Sequence, residues 1–154
     1  MSIRKREWTT PTGEIKDAWI VDYRDQAGKR HIKSFAKKRD AENFAITAKV
    51  QVRDGIHIAD RDSITIAQAA AMWIQAGDGL ERSSRDQRRQ HVDLHIVPYL
   101  GTMRLPQLTA PMVRSFEDRL RLDNRSPAMV RKVRISLGGI LSNAVELGLA
   151  ARNV

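Results

Sequence analysis

The residues of this chain best suited to chemistry are cations and hydroxyls, and they fall into two sets. Arg4, Arg6, Lys16, Arg24, Lys29, Arg30 and Lys33 punctuate the first stretch. Ser83, Ser84, Arg85, Arg88 and Arg89 cluster near the start of one helical stretch, and Arg131, Lys132 and Arg134 near the start of another. Guanidinium and ammonium groups neutralise phosphates, while hydroxyls and the free amides of a helix start add further phosphate contacts. The chemistry this implies is non-covalent grip on a polyanion.

Composition agrees. The chain holds 27 Lys+Arg against 18 Asp+Glu, a net charge of +9. A basic surplus of this kind favours nucleic acid, because neutralised phosphates release condensed counterions. Residues 1–62 carry 14 cations and 10 acids, net +4, and residues 63–154 carry 13 and 8, net +5. The character differs: seven of the first set are lysines, and twelve of the second thirteen are arginines.

Candidates for catalysis are few. Tyr23 and Tyr99 are the two tyrosines, and both read as packing residues. His91 and His95 stand four apart, as in some helical metal sites, but no third ligand is evident. There is no cysteine, so neither a disulfide nor a thiolate metal site forms. No glycine-rich phosphate loop, serine–histidine–aspartate pattern or paired-carboxylate site stands out. The expectation is a chain that is not an enzyme, with no metal and no cofactor.

The elements that must position these residues are of two kinds, which makes the expected fold class α+β. TTPTGEIK and DQAGKR are turns, and IRKREW, AWIVDYR and RHIKSF between and around them read as a three-stranded antiparallel meander. Trp19, Val21 and Tyr23 share one face; Trp8, Phe35 and Phe44 are expected in the core. A helix follows, with an apolar stripe of Ala41, Phe44, Ala45, Ala48 and Val52 closed by Gly55. A sheet covered on one face leaves the other open, and cations from all three strands there suit a major groove.

Residues 56–64 read as a polar linker between domains at 1–55 and 65–154. Four helices are expected in the second. Thr65 and Gln68 form a capping box on the first, closed by Gly77. The next begins near Ser83 or Ser84 and yields at Pro98. The third starts at Thr109 with Pro111 in its first turn, and the last runs from Ser126 as N-cap to Gly148. Val130, Val133, Leu137, Leu141, Ala144 and Val145 form its core stripe. Gly138 and Gly139 each cost roughly 1 kcal/mol against alanine, which implies a close approach by another backbone or strand. No apolar run is long enough for a membrane span.

TIAQAAAMWI, SSRDQRRQHVDLHIVPYLGTMRLPQLT and SPAMVRKVRISLGGILSNAVELGLAARNV, in this order and spacing, resemble the core-binding domain of tyrosine recombinases, the phage integrase family. WIVDYRDQAGKRHIKSFAKKRDAENFA is similar in layout to the small arm-type DNA-binding domain that many such integrases carry. The resemblance implies double-stranded DNA as partner, at arm and core attachment-site sequences, with other recombinase protomers beside it in a bacterial cytoplasm. It implies core-site contacts by Ser83, Ser84, Arg85, Arg89, Arg131, Lys132 and Arg134. Many members carry tyrosine where this chain has Arg88. His95 falls where the family has a structural histidine, and Tyr99 where it needs an apolar packing residue. In the family a tail like AARNV leads into a catalytic domain holding the tyrosine nucleophile, so the sequence looks like an integrase cut at its domain boundary or a natural truncation. Two other classes stay open: a stand-alone DNA-binding regulator, and a protein-interaction module whose last helix docks a neighbouring subunit.

Overall fold

Turn chemistry and alternation shape the first unit. In the computed structural model, which describes residues 1–59 and 62–154, the turns separate β1 (Ser2–Thr9), β2 (Ile15–Arg24) and β3 (Arg30–Phe35). These pair antiparallel in the order β1-β2-β3, the expected meander. The second turn needs a left-handed residue and has Gly28 at φ 79°, while Asp25 Oδ1 accepts the Ala27 and Lys29 amides at 2.9 Å each. Helix α1 (Lys38–Arg53) lays Ala41 and Ala45 on Val21 and Tyr23, with Trp19, Phe35, Phe44 and Val52 packed around them. Small residues on the helix let it sit close to the large ones on the sheet. Trp8 does not join this core: it is 42% exposed on the opposite face.

The chain divides into two compact units, Met1–Ala59 and Asp60–Val154. The stretch 56–64, expected as a linker, is packed at both ends. The buried His57 hydrogen-bonds Gln51 Oε1 at 3.1 Å and the Tyr23 hydroxyl at 2.9 Å, and Ala59 is buried too. Gln26 Nε2 donates to the His57 carbonyl at 3.1 Å. On the other side Ser63 is buried, and the Leu105 amide donates to the Ile64 carbonyl. Polarity misled here, because a histidine with partners for both ring nitrogens is at home inside. The middle of the stretch, Asp60 and Arg61, lies outside the described residues.

The second unit is all helical. α2 (Ile66–Ala76) opens on the expected capping box: Gln68 N–H donates to Thr65 Oγ1 at 3.2 Å, and Thr65 N–H to Gln68 Oε1 at 2.9 Å. α3 (Arg82–His91) begins one residue before Ser83, with Glu81 at the cap position, so both serines lie in its first turn and neither caps it. The helix does not yield at Pro98. A π turn at Val92–Ile96 widens the backbone, and α4 (Val97–Leu100) takes Pro98 as its second residue. Proline lacks an amide hydrogen and clashes with the preceding turn, and widening that turn removes both problems. α5 (Ala110–Leu122) follows Thr109, and α6 (Pro127–Glu146) follows Ser126, whose Oγ accepts the Met129 amide at 3.2 Å.

The core of this unit is built around α6. Val130, Val133, Leu137, Leu141 and Ala144 are buried as expected, joined by Ile140 and Ser136, whereas Val145 is half-buried. The paired glycines have different reasons. A Cβ on Gly139 would stand 3.0 Å from the Trp73 indole, so the close neighbour is an aromatic ring from α2. A Cβ on Gly138 would meet nothing within 4 Å. With a three-stranded sheet in one unit and helices in the other, the fold class is α+β. Among the described residues no helix is long and apolar enough to cross a membrane.

Candidate nucleic-acid interface

Directly opposed residues of an antiparallel pair share a face. Val21 and Tyr23 face α1, so the alternate rows face away from it: Arg4–Ile20–Ser34, Arg6–Ala18, Ser2–Asp22–Ile32, Trp8–Lys16 and Arg24–Arg30. This places Arg4, Arg6, Lys16, Arg24 and Arg30 on the uncovered face. Asp22 is the one acid in those rows. Ala18 and Ile20 are buried in their midst, flanked in register by Arg6 and Arg4, while Trp8 and Ile32 stand exposed. The face is therefore cationic with an apolar middle.

Two expected members stand elsewhere. Lys33 opposes Val21 and so belongs to the helix-covered side, its Nζ 4.5 Å from the centre of the Phe44 ring and 5.6 Å from that of Phe35. A cation over these ring faces is a favourable intramolecular contact. Lys29 sits in the β2–β3 turn, its amide tied to Asp25.

Asp22 is the residue that reading for cations missed. Arg30 grips it with both prongs, Nε to Oδ1 at 2.9 Å and Nη2 to Oδ2 at 2.5 Å, and Arg4 Nη2 stands 4.0 Å from Oδ2. Arg30 holds the Asp22 carboxyl below the usual carboxylate range, so it is ionised at neutral pH. Arg24 is held too, donating from Nη1 to the Gly28 carbonyl at 2.8 Å. Lys16 pairs loosely with Glu14 at 3.7 Å. The signal for Asp22 was in its parity, since it alternates in step with Lys16 and Arg24 along β2.

In the helical unit the expected set is divided. Arg88 is half-buried, with its guanidinium 4.2 Å from the centre of the Trp73 ring and a 3.4 Å bond from Nη1 to the Trp73 carbonyl. The guanidinium therefore packs against Trp73 of α2. Arg85 and Arg89 lie one turn apart on α3, exposed, as are Ser83 and Ser84. On α6, successive residues turn by about 100°, so Arg131, Lys132 and Arg134 point three ways. Lys132 lies on the side where α6 meets α3, close enough to His91 to act on its ionisation. Arg134 turns toward α5 and pairs with Glu117 at 3.4 Å, an acid also held by Arg121 at 3.5 Å. Arg131 points outward between them. Among the described residues no acid stands within ion-pair reach of Arg85, Arg89, Arg131 or Lys132.

Two of the remaining titratable candidates, His91 and Tyr99, have hydrogen-bond partners. His91 is buried and bonds Ser136 Oγ at 2.8 Å through Nδ1, joining α3 to α6. Burial lowers its pKa first, then the charges of His95 and Lys132; burial and Arg125 lower that of the equally buried His95. Both imidazoles are held neutral. The Tyr99 hydroxyl donates to Asp123, a bond that raises the phenol pKa and keeps its proton in place. Among the described residues no three histidines, aspartates or glutamates gather as a metal site would require. No protein-family model, no curated protein and no solved structure matches this chain.

Proposed function

We propose that this chain is the DNA-binding N-terminal portion of a site-specific tyrosine recombinase of a phage or integrative element, holding an arm-type site with its sheet unit and a core-type site with its helical unit. The observation that carries the reading is the uncovered sheet face. Five cations stand on it against Asp22, around an apolar middle of Ala18, Ile20, Ile32 and Trp8. A three-stranded ribbon with that surface matches a major groove in both charge and chemistry: arginines for phosphates and guanine edges, the exposed Trp8 and Ile32 for thymine methyls.

The helical unit adds a second grip. Ser83 and Ser84 stand in the first turn of α3, where amides lack intrahelical partners, and Arg85 and Arg89 follow one turn apart. Arg131 and Lys132 extend the cationic surface along α6. Two sites on one chain raise each other's effective concentration, which suits bridging of separated DNA sequences. Catalysis belongs, in this reading, to a tyrosine outside these residues, and the chain binds duplex DNA without cutting it. Other protomers of the same recombinase would be its neighbours on DNA.

The test is selection of random duplex DNA by the full chain, with binding repeated at rising salt. Affinity should fall linearly on a log–log salt plot, with a slope of about 0.9 per phosphate neutralised. Replacing Arg85 and Arg89 together by alanine should reduce that slope by about 2 at core-type sequences, one unit for each phosphate left without its cation. Affinity that does not respond to salt would remove the reading altogether. Covalent protein–DNA adducts on nicked duplex would overturn the non-cleaving part.

A further inference from the structure

Among the cations of the sheet face, Arg30 is set apart by how it is held. An arginine carries five N–H donors. Asp22 takes two of them from one edge of the guanidinium, through Nε and Nη2. The end edge, next to it, keeps one N–H on Nη1 and one on Nη2, side by side and pointing the same way. The Arg30 side chain is 55% exposed while that of Asp22 is 16% exposed, so the carboxylate sits low and the guanidinium keeps open surface beyond it. Two parallel donors at that spacing match the O6 and N7 acceptors of guanine in the major groove.

Resting on the DNA-binding reading above, we infer that Arg30 reads a guanine base and that Asp22 is the residue positioning it to do so. The carboxylate does two things. It fixes the plane of the guanidinium before DNA arrives, which removes rotamer entropy that binding would otherwise cost. It also stands as a negative charge beside the reading edge, so it disfavours drift of Arg30 onto a phosphate by holding the fork in place. Arg6 offers the contrast: it shares the face, has no anchoring acid among the described residues, and suits a phosphate, whose oxygens accept a donor from many directions. Arg4 is intermediate, with a single 4.0 Å approach to the same carboxylate.

The experiment compares the sequences selected from a random duplex library by the full chain, by Arg30→Lys and by Asp22→Asn. Lysine keeps the charge and loses the fork. Asparagine keeps the shape and removes the charge that anchors Arg30. The expected result is one guanine column in the wild-type motif that Arg30→Lys weakens by roughly tenfold or more in base preference. Asp22→Asn should weaken the same column by less, while raising affinity for unselected duplex because one repelling charge is gone. A guanine column that neither variant alters overturns the inference. So does salt-sensitive binding with no enriched base, which would leave the backbone grip of the proposed function standing. Loss of the column in Arg30→Lys alone would overturn the role of Asp22. Absence of any salt-sensitive binding would instead sink the DNA reading itself.

Discussion

The two units carry almost the same surplus, 13 cations against 8 acids in Met1–Ala59 and 14 against 10 in Asp60–Val154, and display it in opposite ways. On the sheet, Arg30 and Arg4 converge on Asp22, and Arg24 is pinned to the Gly28 carbonyl. On the helices, Arg85, Arg89, Arg131 and Lys132 stand clear of any acid among the described residues. Tethered arginines have a direction before a partner arrives, which suits recognition of a base edge. Untethered cations adapt, which suits phosphates. Nearly equal net charge thus conceals different arrangements of cations.

Their interiors differ as much. The helical unit buries Ile66, Ile96, Leu120, Leu137 and Ile140 almost completely. The sheet unit has Val21, Tyr23, Ala41 and Ala45, and adds a polar cluster in which the Tyr23 ring stacks on His31 at 5.4 Å and meets His57 edge-on at 5.0 Å. A domain of this size buries a smaller share of its surface, so each interaction is a larger part of its stability.

The strongest way to sharpen that contrast is Leu137→Ala. It should cost the helical unit about 2–5 kcal/mol, read by denaturant unfolding of a variant whose one tryptophan is Trp73, with the sheet unit's transition unmoved. A coupled shift of both transitions would mean the units do not unfold independently. Tyr23→Phe removes the hydroxyl bonded to His57 and should cost the sheet unit about 1–2 kcal/mol, followed through Trp19. If Tyr23→Phe is neutral, the polar cluster contributes nothing that rings alone do not.

Next come the paired glycines, which should answer alanine differently. Gly138→Ala has open space before it and should stabilise α6 by up to about 1 kcal/mol. Gly139→Ala pushes a methyl at the Trp73 ring and should lose that gain or more, with a change in Trp73 emission. Equal effects at both positions would mean Trp73 moves aside freely.

The last prediction is a slope and not a step. His91 and His95 have pKa values lowered in the folded helical unit, so the unfolded chain binds more protons below the ordinary imidazole pKa. Their contribution is complete above about pH 6.5 and declines as pH falls from there toward the folded values, by at most about 1.4 kcal/mol per pH unit for each histidine. In the sheet unit three carboxylates, Asp17, Asp22 and Asp25, have lowered pKa values, and their contribution is present above the ordinary carboxylate range and fades only below it. Acid should therefore weaken the helical unit first. Coincident loss of the Trp73 and Trp19 signals would contradict that order.

Much of this was written in the sequence by itself. Alternation fixed the three strands, their turns and the face of Trp19, Val21 and Tyr23. The Thr65–Gln68 box and the Ser126 cap marked helix starts, because these signals act within a few residues and need no distant partner. Parity along β2 already put Lys16 and Arg24 together, away from α1. What only the tertiary structure decided is how each cation is held. Arg88 lies against Trp73, Lys33 over the Phe35 and Phe44 rings, Arg134 beside Glu117 and Arg30 against Asp22. Each draws a partner from another element: α2 for Arg88, α5 for Arg134, β2 for Arg30, and α1 for Lys33, whose own strand adds Phe35. A charge's partner is set by distance in space, which a local pattern does not encode, and the same holds for the indole that explains Gly139.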